Sequence, residues 1–420
     1  MKKYIIVFAL LSGISLSNSR VHLSNSETDT QNPIQQQNVR FPYVISLERE
    51  FRRVQSAGLR EVGNGITYIP LETSENALVR FSRTLRIIYS NSHIAVYDGF
   101  DVFLFDLSGN FVTQIGSRGR GPGEYSVLAN VSFSNDGASL LLFVPNSAGG
   151  SLLEYDTNAK FTRTIDLDSI YAGTIRKFND NQYIINPMNN CTYRHPIRQS
   201  LLVVDLEGNV AKTYKNHNKR VVCSGFNHGY SETRLYSFQQ NIRFMEEGSD
   251  TIQTVIPNGL LTFAVFDLGS RRMPINDLDF PFPGGEGFRE WLDIYLRQIH
   301  QDGNFFPVAT FEDFDNIYFR VSDLRKNICG YFSKVTGVSK LIGEEGFQND
   351  IDGGLPFFPR YILNDNTLVD IIDPYELREH VFSRNAAQMR RLYGQKWDDL
   401  TRLANSLDDE SNPVIVMVKR

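Results

Sequence analysis

Apolar and polar residues alternate along almost the whole chain, in short segments that are separated by turn residues. Alternation with a period of two predicts half-buried β-strands, and Gly, Asn and Asp between the segments predict tight turns. One unit recurs, consisting of an apolar strand, a polar turn that often holds Gly, and a second strand. Clear copies lie at 102–110, 152–160 and 201–209, with weaker copies at 253–259 and 331–337. The pattern therefore predicts an all-β repeat protein.

The spacing of this unit predicts the architecture. Turn positions 109, 159, 208 and 259 lie about 50 residues apart, which is the length of a four-stranded propeller blade. The next gap, to position 337, is about 28 residues longer than this repeat, and a helical insertion at about 284–302 accounts for the excess. Apolar residues at helical spacing predict a second helical insertion at about 374–407.

The remaining strands at the two ends of the chain indicate how the ring closes. Strands at 361–363 and 367–372 begin a sixth blade, and the strands at 66–71 and 413–418 are expected to complete it, because a ring must not leave open strand edges. We therefore expect a six-bladed β-propeller over residues 64–420, with four strands per blade. Blades one to five are predicted at 84–115, 127–165, 171–214, 231–266 and 304–342.

One segment resembles a known family. Residues 115–125, Ile-Gly-Ser-Arg-Gly-Arg-Gly-Pro-Gly-Glu-Tyr, are similar to the G-x-G-x-GPGE-[YF] signature of six-bladed, NHL/TolB-like propellers that gut Gram-negative bacteria export. Residues 68–73, 248–252, 352–354 and 412–416 look similar to the same family. The resemblance covers about residues 64–420 and implies a fold and export from the cytoplasm. It implies no reaction, because most members of that family have no assigned function.

The N-terminus has the layout of a secretory signal peptide. Lys2 and Lys3 precede an apolar run at 4–16 that is too short to span a membrane, and small polar residues follow it. We expect a signal peptide at 1–19, a flexible leader at 20–63 and export to the periplasm or cell surface, with no transmembrane segment in the mature chain. Ile14 stands where a lipoprotein signal has its Cys, so no lipid anchor is predicted.

Composition limits the function classes. The chain has 420 residues, of which 41% are hydrophobic and 12% aromatic, so it is long enough and apolar enough for a large core. Its formal net charge of −5, without a basic tract, argues against a nucleic-acid partner. G-x-S-x-G, H-E-x-x-H and Cys-based metal motifs are absent, so we expect no metal and no cofactor. Paired acids such as Asp313 and Asp315 are expected in solvated turns.

The two faces of the predicted ring differ in the length of their connections. Because successive strands alternate in direction, the connections from second to third strand and from one blade to the next share one face. We call it the long-loop face, and it includes 117–126, 187–199, 215–230, 269–303, 343–354 and 373–412. The other connections are short and define the short-turn face. Long loops on a rigid scaffold are where binding usually resides.

The long-loop face carries cationic and aromatic side chains, which suit an acidic or polar ligand. The candidate ligand-binding residues are Arg118, Arg120, Glu124, Tyr125, Tyr193, His195, Arg198, His228 and Tyr230. The alternative interpretation is a set of solvated loops with satisfied charges. Gly119–Gly123 either presents N–H groups to an anion or permits a tight crossing between blades. Cys191 and Cys223 also fall on this face, where the sequence allows either a disulfide or two free thiols.

These features favour a noncatalytic binding or interaction protein of the cell envelope. Its partner would be a polar small molecule, a glycan, a peptide or an envelope protein, bound through the long-loop face. One alternative is a hydrolase or lyase with its site in the central channel, although Asn130 is the one obvious polar residue in the predicted inner strands. A structural subunit of an envelope assembly is a further alternative.

Overall fold

The computed structural model describes residues 42–80, 85–134, 136–187, 199–215, 235–239, 241–246, 249–273, 304–323, 325–363 and 365–420. In chain order its strands are β1 Tyr43–Ser46, β2 Gly65–Pro70, β3 Arg86–Tyr89, β4 His93–Tyr97, β5 Val102–Asp106, β6 Phe111–Gln114, β7 Ser117–Arg118, β8 Glu124–Tyr125, β9 Asn130–Phe133, β10 Ser139–Asn146, β11 Gly149–Asp156, β12 Phe161–Asp168, β13 Ala172–Asn179, β14 Gln182–Pro187, β15 Gln199–Asp205, β16 Val210–Lys215, β17 Leu235–Phe238, β18 Asn241–Met245, β19 Thr251–Ile256, β20 Gly259–Asp267, β21 Phe306–Glu312, β22 Asn316–Ser322, β23 Asn327–Ser333, β24 Ser339–Gly343, β25 Tyr361–Ile362, β26 Leu368–Ile372 and β27 Val414–Lys419. Its helices are α1 Pro374–Val381, α2 Ala386–Tyr393 and α3 Gln395–Ser406.

Six antiparallel sheets of four strands form the blades of a propeller, as the sequence predicts. Blades one to five are β3–β6, β9–β12, β13–β16, β17–β20 and β21–β24, each built from consecutive strands. The first strands of neighbouring blades contact one another, so the first strand of each blade is the innermost one. Apolar side chains from the facing sheets fill the space between blades, including Phe105, Phe143, Phe244 and Phe319.

Blade six closes the ring with both ends of the propeller chain, which confirms the predicted closure. Its strand order is β25, β26, β27 and β2. Strand β2 pairs antiparallel with β27 over its full length, from Gly65 opposite Lys419 to Pro70 opposite Val414. Ile415 on β27 is completely buried between blades six and one. Strand β2 is thus the outer strand of the last blade, and the C-terminal strand β27 lies inside it.

Residues 42–63 fall in the segment that the sequence predicts as a flexible leader, and the structure shows them in contact with the propeller. Strand β1 adds to the outer edge of blade four, parallel to β20, with Tyr43 opposite Ala264. The outer strand β20 is apolar almost throughout, and an uncovered apolar edge would be prone to pairing with other chains. Ile45 is completely buried in this contact. This segment therefore contributes to the core, which its polar composition does not indicate.

Beyond β1 the chain runs along blade five to blade six. The ring of Phe51 stacks on Phe305, with centroids 4.5 Å apart. The Gln55 amide donates to Leu341 O at 3.1 Å, and the Leu59 amide donates to Gln348 O at 2.8 Å. Residues 43–64 therefore form a strap that joins the edges of three blades.

The second helical insertion is present as α1, α2 and α3. Helix α1 begins at Pro374, which needs no amide hydrogen bond there, and the Asp373 side chain accepts from the Tyr375 amide as an N-cap. Trp397 and Leu400 of α3 pack against the hydrophobic core that blades five and six share. The first predicted insertion, 284–302, lies outside the described residues. In the described ranges, no helix is both long enough and apolar enough to cross a membrane.

Neighbouring residues of β1 provide a test of the strap. We expect Ile45→Ala to lower the free energy of unfolding by about 2–5 kcal/mol, because it removes a buried side chain and leaves a cavity. Val44 is 53% exposed on the other side of the same strand, and Val44→Ala should change stability by less than about 0.5 kcal/mol. Urea unfolding of both variants measures the difference. Equal effects of the two substitutions would mean that β1 does not pack as described.

Candidate functional site

The connection between blades one and two is a compact loop held by its own hydrogen bonds. The short strands β7 and β8 pair in parallel, with Ser117 opposite Glu124. The Gly119 amide donates to Tyr125 O at 3.0 Å. The Gly121 amide donates to Glu124 Oε2 at 2.7 Å. The loop is therefore fixed before any ligand arrives.

Two glycines let this loop cross closely onto blade two. Gly123 has φ +76°, and a Cβ there would lie 2.8 Å from the ring of Phe161. Gly116 has φ +67°, and a Cβ there would lie 2.8 Å from the Tyr155 hydroxyl. That hydroxyl also donates to Gly123 O. These contacts support the interpretation of the glycines as a tight crossing between blades, and the N–H of Gly121 is already bound to Glu124.

Tyr125 lies inside the loop rather than on its surface. The residue is 1% exposed, and its hydroxyl donates to Ile115 O at 3.4 Å. Burial raises the pKa of the Tyr125 phenol. The alternation along β8 exposes Glu124 and turns the next side chain inward. Tyr125 thus anchors the loop and does not reach the solvent where a ligand would bind.

Arg118 and Arg120 project from this loop into solvent. The structure shows no hydrogen bond or ion pair for either guanidinium among the residues that it describes. The Arg118 guanidinium lies 4.7 Å from the ring centroid of Phe100, in the turn between β4 and β5. The Arg80 guanidinium lies 4.7 Å from the same centroid. We call Arg80, Phe100 and Arg118 the arginine–phenyl cluster.

A buried carboxylate holds the turn that presents Phe100. Asp98 is 0% exposed, and its Oδ1 accepts from the amides of Phe100 and Asp101, both at 2.8 Å. Arg80 pairs with Asp98 at 3.5 Å and with Asp101 at 3.8 Å. Two carboxylates therefore balance the charge of Arg80. Arg118 has no ion pair within the described ranges.

The sequence predicts Arg118, Arg120 and Glu124 as candidates, and it gives no candidate at Arg80 or Phe100, which the structure places in the arginine–phenyl cluster. Arg80 lies in the connection before blade one, and Phe100 in a turn of only a few residues, so the length of the loops did not point to either. The signal available in the sequence was Phe100 within the turn sequence Asp98-Gly99-Phe100-Asp101, since Gly, Pro, Asn, Asp and Ser dominate turns. The other candidates lie outside the described residues, and so do both cysteines of the suggested disulfide; these residues are Tyr193, His195, Arg198, His228, Tyr230, Cys191 and Cys223.

Polar residues on the innermost strands join neighbouring blades. The Asn130 Nδ2 on β9 donates to Gly173 O at 3.3 Å, and Ser132 Oγ donates to Ile175 O at 3.0 Å. Both bonds link blade two to blade three. The Asn130 Oδ1 is buried and has no hydrogen-bond partner in the part of the chain that the structure describes. Asn130 therefore has a structural role in the channel wall, with one acceptor left over.

A buried ionic cluster joins blades four and five near the short-turn face. Glu312 Oε1 accepts from Arg243 Nε at 2.7 Å, and Glu312 Oε2 accepts from Lys334 Nζ at 2.6 Å. The Glu312 side chain is 0% exposed and each cation 9%. Burial lowers the pKa of Lys334, and the Glu312 carboxylate partly opposes this effect. Each charged group is thus committed to its neighbours.

Asp313 corrects an expectation, because it is buried rather than solvated. Its Oδ1 accepts from the amides of Asp315 and Asn316, and its Oδ2 accepts from the Tyr318 hydroxyl at 2.8 Å. These bonds fix the turn between β21 and β22. Among the described residues, no group of three or more His, Cys, Asp or Glu side chains could hold a metal ion.

The comparisons with known proteins agree with the fold. A family model described as "Domain of unknown function (DUF4934)" matches residues 42–419. No curated protein matches the chain. A crystal structure of a Bacteroides fragilis protein named "Putative exported protein" is 18% identical and gives a TM-score of 0.67, covering 90% of this chain and 100% of that one. At this identity the similarity shows the fold alone.

A second solved structure is more distant. It is a member of the DUF4221 family from Bacteroides vulgatus, which is 10% identical and gives a TM-score of 0.46. The match covers 85% of this chain and 96% of that one.

The loop crossing at Gly123 provides a stability test. We expect Gly123→Ala to lower the free energy of unfolding by about 1–2 kcal/mol or more, because Ala is strained at a positive φ and its Cβ would meet Phe161. Gly259 is the control, since nothing lies within 4 Å of a Cβ built there. Gly259→Ala should cost nothing, and it stabilises by up to about 1 kcal/mol if it restricts the unfolded chain. Thermal unfolding separates the two results, and an equally tolerated Gly123→Ala would contradict the crossing.

The ionic cluster is tested by removing its one carboxylate. We expect Glu312→Gln to destabilise the fold by about 3–5 kcal/mol, because two buried cations lose their common partner. Glu207→Gln removes an exposed carboxylate from a turn of blade three and should change stability by less than about 0.5 kcal/mol. Chemical unfolding at neutral pH measures both. A small loss for Glu312→Gln would show that the cluster contributes little to joining the blades.

Proposed function

The chain belongs to the DUF4934 family of unknown function, and we propose that it is a noncatalytic binding protein of the cell envelope. The proposed ligand is polar and acidic, and it binds on the long-loop face above blade one. The observation that carries the proposal is the pair of exposed guanidiniums, Arg118 and Arg120, without ionic partners among the described residues, on a loop that its own hydrogen bonds hold rigid.

The chemistry of this surface supports binding. Arginine offers a planar fork of N–H donors that fits carboxylate and phosphate groups. The loop that carries Arg118 is anchored by the buried Tyr125, so little conformational entropy is lost when a ligand binds. The most deeply buried ionic groups, such as Glu312 and Lys334, are engaged between blades, which favours a structural role for them over a catalytic one.

Export is part of the proposal and rests on the N-terminal pattern. Residues 1–19 have the layout of a signal peptide, and a structurally similar Bacteroides fragilis protein bears the name of an exported protein. The proposed location is the periplasm or the cell surface. The same proposal includes a relationship of this chain to the NHL/TolB-like propellers that its sequence resembles.

A ligand screen tests the binding role. The full chain, on arrays of acidic and neutral glycans and peptides, should retain acidic members, and Arg118→Gln/Arg120→Gln should weaken that retention at least tenfold. The effect follows from the loss of two charge-assisted contacts, each worth about 1.5–3 kcal/mol at most. Surface plasmon resonance on the retained ligands gives the affinities.

The matched control removes the same charge from the other face. Lys160 and Lys419 are exposed near the short-turn face, and Lys160→Gln/Lys419→Gln should leave binding within about twofold. If both double variants weaken binding equally, the attraction is a net-charge effect and the proposed site is wrong.

A further inference from the structure

We propose that the arginine–phenyl cluster and Arg120 recognise an acidic peptide segment of a protein partner, with Arg118 forking onto its carboxylates. This inference rests on the proposed function and specifies its ligand class. It differs from the wider proposal in two ways. It excludes glycans, and it depends on the position that the Phe100 ring gives to the Arg118 guanidinium.

The geometry leaves the binding edge of Arg118 open. Its guanidinium lies over the ring of Phe100, 4.7 Å from the centroid. A guanidinium over an aromatic face is attracted by the π-electrons of the ring, and this contact uses none of its N–H groups as hydrogen-bond donors to an oxygen. Since no described residue accepts these donors, they are available to both oxygens of one carboxylate.

The charge balance favours an anion at this position. Arg80 is paired with Asp98 and Asp101, so its role is to cover the ring and to hold the turn. Glu124 is the nearest acid in the sequence to Arg120, and its Oε2 already accepts from the Gly121 amide. Arg118 and Arg120 form no ion pair with any described residue, and they lie two residues apart in the sequence on one rigid loop.

The same geometry disfavours a sugar. A sugar ring binds by stacking on an open aromatic face, whereas two guanidiniums lie over the ring of Phe100. Phe100 remains 45% exposed, and Val127 at the end of the same loop is 59% exposed. Exposed apolar groups beside arginines are typical of surfaces that bind other proteins.

The test uses the full chain and a labelled probe. Fluorescence anisotropy follows a fluorescein-labelled peptide of ten glutamates, a matched peptide of ten glutamines, and an oligogalacturonate of similar length and charge. We expect the glutamate peptide to bind, the glutamine peptide not to bind, and oligogalacturonate to bind at least tenfold more weakly than the glutamate peptide. Added salt should weaken the interaction.

Three variants separate the effect of the Arg118–Phe100 contact from the effect of charge alone. Arg118→Gln should weaken glutamate-peptide binding at least tenfold. Arg118→Lys keeps the charge and should still weaken it about fivefold, because lysine lacks the planar fork. Phe100→Leu should weaken it about threefold or more, since the guanidinium loses its platform. Lys160→Gln on the short-turn face is the control and should stay within twofold.

The possible failures are distinguishable. Binding of oligogalacturonate at the Arg118 site without binding of the peptide would overturn the peptide inference and leave the binding function standing. An Arg118→Lys variant that binds like the unmodified chain would overturn the proposal that the planar guanidinium of Arg118 recognises the carboxylate. Absence of binding by all three probes, together with an empty ligand screen, would overturn the proposed function itself.

Discussion

The backbone pairing of β2 with β27 is the constraint on which the rest of the structure depends. A propeller is a closed ring of sheets, and its first and last blades face each other across the point where the chain begins and ends. Here the two terminal strands share one blade and exchange hydrogen bonds from Gly65 to Pro70. Opening the ring would therefore break this ladder and expose buried residues such as Ile415 on β27. Stability is thus coupled between residues more than 300 positions apart.

The strap and the ionic cluster add contacts between blades four and five to those that the repeated sheets make. Blade four ends in the apolar strand β20, and β1 covers its edge. Blades four and five also share the Glu312 cluster, whose charges are isolated from solvent. Tyr43 of the strap packs against Phe263 of blade four and Phe332 of blade five, with centroids 5.4 and 5.5 Å apart. The two devices therefore meet at one inter-blade boundary and reinforce it together.

The fold was predictable because its signals are local and repeated. Alternation identifies strands, and a spacing of about 50 residues identifies blades, so even the shared sixth blade follows from counting strands. The strap was not predictable, because a single strand such as Tyr43–Ser46 becomes visible only when the partner edge of β20 is known. The residues of the proposed site were visible in the sequence only in part, for the same reason. Arg118 was evident from its loop, whereas its contact with Phe100 depends on how two turns of one blade are brought together.

Burial explains the remaining differences between expectation and structure. Glu124 and Tyr125 are neighbours in a Gly-rich segment that reads as a surface loop, yet a short parallel ladder turns one outward and the other inward. Asp313 is similar, because a turn sequence gives no indication that the Tyr318 hydroxyl and two amides will surround its carboxylate. In both cases the residue type is evident from the sequence. Its three-dimensional neighbours decide whether its side chain is exposed to solvent or engaged in contacts that stabilise the fold.

The direction of the strap bears on how the arginine surface is presented. Strand β1 is parallel to β20, and β20 runs from the short turn after β19 towards the long-loop face. Strand β1 pairs with Ala264–Asp267, the last four residues of β20, so the strap leads onto the long-loop face, where the Ser270 hydroxyl donates to Glu48 Oε1 at 2.9 Å. The strap therefore braces the long-loop-face connections of blades four and five, whereas the Gly-rich loop that carries Arg118 joins blades one and two. The closed ring, the strap and the Gly-rich loop thus act together: the first two make the scaffold rigid, and the third holds Arg118 at a defined position on it.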